Sequence, residues 1–222
     1  MVSFKNSFLA VALTAVAALA TAGIAQASPL TGTFNVSVWQ IDNIGGSIND
    51  PVEQAAPSNP LLLGLALATG TYTGALNLDL GGGATDTVGA FFASDGGTTT
   101  GLSSVSDNEL SASGFSQTTL MVITGTITGG GISGTVTHDD GASLYDSSGL
   151  VFDSALPTSA EATSYNDVTG AFTLYYVEAN GLPAVLDFNV AAVPEPSSLA
   201  IMGASLGLLG MLGMARRRRN KA

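Results

Sequence analysis

The sequence predicts an all-β fold, an antiparallel two-sheet β-sandwich, flanked by an N-terminal signal peptide and a C-terminal single transmembrane helix. Three observations carry this. Between Ser28 and Ala192, apolar and polar residues alternate with period two in short segments separated by glycine turns. Met1–Ala27 has one positive charge, Lys5, followed by an apolar core and a small-residue ending. The chain closes on an uncharged apolar run, 199–215, followed by four arginines. The organisation is therefore 1–27, 28–192 and 193–222.

At the N-terminus, Phe8 through Ala20 form the apolar core and Ala25-Gln26-Ala27 the ending. Signal peptidase accepts small residues at the −3 and −1 positions, so the mature chain is expected to begin at Ser28. At the other end, seventeen uncharged residues make a helix of about 25 Å, at the short limit for crossing a bilayer. Arginines remain on the cytoplasmic side, which places the middle of the chain outside.

The middle segment is long enough for one sizeable core. All six basic residues of the chain lie outside it, and sixteen of its seventeen acids lie within it. Such a surface has nothing to neutralise phosphates, which excludes nucleic acid as a partner. Most of the acids serve solubility; two or three are candidates for holding a hard cation. The absence of cysteine excludes thiol catalysis and Cys-ligated zinc.

The strands are read in order. Phe34, Val36 and Val38 alternate with Asn35, Ser37 and Trp39. Leu76, Leu78 and Leu80 alternate with Asn77 and Asp79. Segments 123–128, 134–137, 172–177 and 184–190 behave alike, with Phe172, Leu174 and Tyr176 facing the core and Thr173, Tyr175 and Val177 facing away. The run Asn59-Pro60-Leu61 to Ala68 suits either a helical turn or a buried strand, and strand is favoured. Trp39 is expected at an edge or in the core, with a sugar-stacking platform as the alternative.

One stretch carries chemistry. Thr137-His138-Asp139-Asp140-Gly141 joins two strands and holds adjacent carboxylates beside the single histidine. His138 and Asp139 point to opposite faces of a strand and do not make a catalytic pair. With no nucleophile-and-base arrangement visible, the domain is expected not to be an enzyme.

Asp139-Asp140-Gly141 before Leu144-Tyr145, the turn 146–149, and the Gly170-led strand ending in Tyr176-Val177-Glu178 resemble the protective-antigen-type carbohydrate-binding β-sandwich family, which includes flocculin-type adhesins. The resemblance covers 123–190 and extends to the first half only through compatible strands. It implies that two aspartates, often joined by a cis peptide, hold calcium that in turn holds sugar hydroxyls. Asp139 and Asp140 match that pair; Glu178 and Asn180, from the following loop, match further ligands by position alone. The bare residues also suit a plain turn in which aspartates bond local amides.

The tail Val193-Pro194-Glu195-Pro196, apolar run and Arg216-Arg217-Arg218-Arg219 resembles the PEP-CTERM sorting signal. That resemblance implies an exosortase as partner beside signal peptidase, with transient anchoring through the C-terminal helix before processing. An ordinary membrane anchor is the alternative. Together these readings predict an exported cell-surface or exopolysaccharide-matrix protein, a non-catalytic module for polysaccharide. The alternatives are a structural matrix protein without ligand, or a glycan-acting enzyme.

Overall fold

A computed structural model of the chain describes residues 27–43 and 45–191, and residues 27–191 make one compact unit. Apart from Ala27, the expected signal peptide lies outside the described residues, as does the whole of 193–222 with its sorting motif and apolar run. Among the described residues no helix is long and apolar enough to cross a membrane.

The domain is mostly β and its strands pair antiparallel. The strands are β1 (Ser28–Pro29), β2 (Thr31–Asp42), β3 (Ala68–Ala75), β4 (Asn77–Leu80), β5 (Thr98–Thr100), β6 (Gln117–Asp139), β7 (Gly141–Asp146), β8 (Gly149–Ser154), β9 (Glu161–Glu178) and β10 (Ala184–Val190). Seven lie in the order β5-β3-β2-β6-β9-β7-β8, and β10 joins β6 to β4 and β1.

Hydrogen bonding makes this a single ten-stranded network, where the sequence suggested two separate sheets. The reason lies in β6 and β9, which are long enough to serve both layers. Residues 117–127 of β6 pair with β2 and with the end of β9, while residues 132–139 pair with β10 and with the start of β9. The segments 123–128 and 134–137, expected as separate strands, are thus one. Gly129 and Gly130 sit between them at φ 88° and 136°, where the register with β9 shifts. Glycine's access to positive φ lets the strand bend without leaving the ladder.

The two halves face each other across one core. Phe172 of β9 has the ring of Phe34 on β2 at 6.2 Å and that of Phe188 on β10 at 5.8 Å. Phe172, Leu174 and Tyr176 are all buried, as their alternation requires. Each such apolar side chain contributes about 2 kcal/mol by leaving water. Val177, on the opposite face, is also buried, contrary to expectation: Ala55 and Ala179 cover it in a small second cluster. The covering segment is tied down by the Ser143 hydroxyl, which donates to the Ala55 carbonyl, and by the Ala55 N–H, which donates to Ala155 at 2.9 Å.

The Pro60–Leu63 stretch is a short 3-10 helix and not the favoured strand. Asn59 caps it, accepting from the Leu61 N–H at 2.9 Å while its amide donates to the carbonyls of Val52 and Gln54. Leu63 and Leu65 are consequently 93 % and 95 % exposed. Trp39 is half-buried and donates its indole N–H to Gly64 at 3.1 Å. A six-residue helix, α1 (Val88–Ala93), had no sequence forecast; Thr87 caps it by accepting from Ala90 at 3.2 Å. Its Phe91 stacks flat on Tyr176, with centroids 5.5 Å apart and planes 6° from parallel. That contact sets the floor on which the site is built.

Candidate functional site

The end of β6, the start of β7, the end of β9 and the start of β10 meet at one rim of the domain. Asp139 pairs with Val185 of β10, and Gly141 pairs with Val177 of β9, so Asp140 sits between two strands with the loop after β9 beside it. The Asp139–Asp140 peptide is cis. Gly141 is required at its position by crowding: a Cβ there would collide with the Ala155 carbonyl oxygen.

Asp139 and Asp140 are 8 % and 4 % exposed. Both line a cavity of about 320 Å³, together with Asn180, Phe115, Ile48 and Leu182. Oδ2 of Asp140 accepts from the N–H groups of Ala179 at 2.9 Å and Asn180 at 3.1 Å. The loop after β9 is thereby brought to the aspartate pair, as the resemblance implied for 178–181. Burial, first, and then the charges of Asp139 and Glu53 push the Asp140 carboxyl up to about 6, against the pull of its two amide donors. Burial raises Asp139 as well. Two adjacent acids are held here in a domain that has no Lys or Arg between Ser28 and Ala192.

Asn180 reaches the cavity, and its side-chain Oδ1 accepts from the Gly114 N–H at 3.0 Å. Glu178 is fully buried beneath the rim, away from the cavity lining. Its carboxyl accepts from the Ser111 hydroxyl at 3.0 Å and meets the Tyr176 hydroxyl at 2.9 Å. The same Tyr176 hydroxyl donates to the Asp139 carbonyl. A phenol has one proton to give. With that proton on the Asp139 carbonyl, the contact to Glu178 is a hydrogen bond only if Glu178 supplies the second. Burial, followed by the charge of Asp140, holds the Glu178 carboxyl well above the usual carboxylate range, in agreement with that count. Among the described residues no group of three His, Asp or Glu side chains is arranged to hold a metal ion.

His138 is fully buried and braced on both sides. Its Nδ1–H donates to the Asp140 carbonyl at 2.7 Å, which leaves Nε2 bare to accept from the Thr163 hydroxyl at 3.1 Å. Burial lowers its pKa, so the ring is neutral. Both nitrogens are spent on holding the aspartate turn in place.

Three contributors escaped sequence reading. Phe115 reaches the cavity from the segment before β6, Ile48 from the 43–50 loop, and Tyr176 supports Asp139 from the core face of β9. The last was classified by its alternation as core alone. The only local signal for the first was Gly114, beside which Phe115 itself adopts φ 58°.

Fold and site together define an antiparallel β domain with an acidic pocket at one strand-end rim. No protein-family model matches the chain, and no curated protein matches it either. Solved structures do. A "PA14 sugar-binding domain from RTX adhesin" superposes with TM-score 0.51 at 16 % identity, over 73 % of this chain and 99 % of that one. The PA14 domain of the antifreeze protein MpAFP gives TM-score 0.48 at 15 % identity, over 76 % and 86 %. The first likeness shows the fold: a PA14-type β domain.

Proposed function

We propose that this domain is a calcium-dependent, non-catalytic glycan-binding module of an exported cell-surface or matrix protein. The observation that carries the reading is the Asp139–Asp140 pair, nearly buried on the wall of a cavity and lacking any basic partner in the domain. Two carboxylates so placed repel one another, and a divalent cation relieves that. The sugar-binding domain of the RTX adhesin, which shares the fold, supports the same reading.

The donor set fits a hard cation. Calcium takes six to eight oxygens; Asp139 and Asp140 would supply the charged ones, and the Asn180 segment further oxygens. When bound, calcium would neutralise the pair and take two sugar hydroxyls as further ligands. Ala179 and Asn180 orient Asp140 through their amides, and His138 and Tyr176 fix the carbonyls of Asp140 and Asp139. Glu178 belongs with these supports, because its carboxyl is occupied below the cavity. The remaining parts of the reading concern the route: cleavage after Ala27, retention through 199–215, and exosortase processing near Pro194-Glu195-Pro196.

The test is thermal unfolding in calcium and in chelator, together with retention on immobilised polysaccharide. Calcium should raise the melting temperature and be required for retention. Identical curves would leave Asp139-Asp140-Gly141 as a structural turn.

A further inference from the structure

The cavity has a second side that calcium does not explain. Opposite its polar groups, Asp139, Asp140 and Asn180, stands the ring of Phe115, with Ile48 and Leu182 beside it. Phe115 is half-buried and packs against the small cluster of Ala55, Val177 and Ala179. It is held from both flanks. The Gly114 N–H is bound to Asn180 Oδ1 at 3.0 Å, and the Ser116 carbonyl accepts from Asn43 at 2.9 Å. A non-glycine residue at φ 58° is uncommon, and such positions persist where surrounding structure determines them. A second clamp lies against the ring's own backbone: a Cβ at Gly46 would stand 2.6 Å from the Phe115 carbonyl. The ring is thus presented at a set place across from the carboxylates.

We propose that Phe115 is the residue that selects a cyclic sugar at this site, and that the site takes one terminal pyranose. The inference rests on the glycan reading given above. A pyranose ring has a hydroxyl edge and an apolar C–H face, and the cavity offers a matching pair of walls. An aromatic π-face attracts polarised C–H groups and covers apolar area. An open-chain polyol carries the same neighbouring hydroxyls but no such face. The volume, about 320 Å³, is at the small end of ligand sites and suits one ring at a chain end better than the middle of a polymer.

The experiment is calorimetric titration of the full-length protein in calcium. The probes are the methyl pyranosides of mannose, glucose, galactose and fucose, each set against its alditol. Wild type should prefer its best pyranoside over the matching alditol by about tenfold. Phe115→Leu, which keeps apolar bulk and removes the ring, should erase most of that preference, and Phe115→Tyr should keep it. The calcium-induced rise in melting temperature should be equal in all three proteins, which shows that the aspartate turn is intact. An unchanged preference in Phe115→Leu overturns the role of Phe115 alone. Failure of wild type to bind any pyranoside overturns the inference; if calcium also leaves the melting curve unmoved, the calcium reading falls with it.

Discussion

Replacing Asp140 with asparagine tests the electrostatics of the pocket directly. The Asp140 carboxyl is raised from 3.8 to about 6, with burial as the leading cause. At about 1.4 kcal/mol per pH unit this corresponds to about 3 kcal/mol. The sign follows from linkage. A group whose folded pKa lies above its unfolded value binds protons more tightly in the native state. Its stabilisation is complete below about pH 4 and is lost as pH rises through about 6. At pH 7.5 without calcium, wild type therefore carries a cost that Asp140→Asn removes. An asparagine oxygen can still accept from Ala179 and Asn180, although uncharged, and this reduces the gain to about 1–2 kcal/mol. For a domain of this size, 1 kcal/mol shifts the melting temperature by about 2–4 °C. In chelator at pH 7.5, Asp140→Asn should melt several degrees above wild type, and the difference should vanish by pH 4. Calcium at a hundredfold excess over its dissociation constant should raise wild type by about 2.7 kcal/mol and leave Asp139→Asn/Asp140→Asn unmoved. Calorimetry or circular dichroism across pH 4–7.5 reads both effects. A variant less stable than wild type at pH 7.5 in chelator would refute the argument that these carboxylates repel.

His138 gives the opposite pH dependence. Its pKa is lowered by burial, so its contribution is present above about 6.5 and is lost as pH falls; His138→Gln, which can donate and accept in the same places, should lose less stability than wild type between pH 6.5 and 5 in unfolding curves. Gly141→Ala sets a Cβ against the Ala155 carbonyl and should cost about 1–3 kcal/mol and abolish the calcium increment, whereas Gly82→Ala, with open space around it, should change melting by less than about 0.5 kcal/mol. Alanines in place of Pro194-Glu195-Pro196 should trap a longer, membrane-bound form, and intact mass of the wild-type exported protein should show Arg216–Arg219 removed.

The sequence by itself determined which side chains go inward. Strand alternation depends only on the two-residue repeat of the backbone, so Leu76, Leu78 and Leu80, and Phe172, Leu174 and Tyr176, declare a buried face wherever the strand is placed. The charge distribution and the Asp139-Asp140-Gly141 turn were legible for the same reason, being local. What the strands pair with is not local. Gly129-Gly130-Gly131 reads as a break, yet β6 continues through it because β9 keeps pairing with β6 on both sides. Leu61 to Leu67 reads as buried, yet lies out in solvent because the Asn59 cap closes a 3-10 turn. Val177 points away from the main core and is buried only because Ala55, more than a hundred residues earlier, folds over it. The pocket shows the same division. Its carboxylates stand adjacent in sequence, whereas Phe115, Ile48 and Asn180 come from three distant loops that only the antiparallel pairing of β2, β6 and β9 brings to one rim.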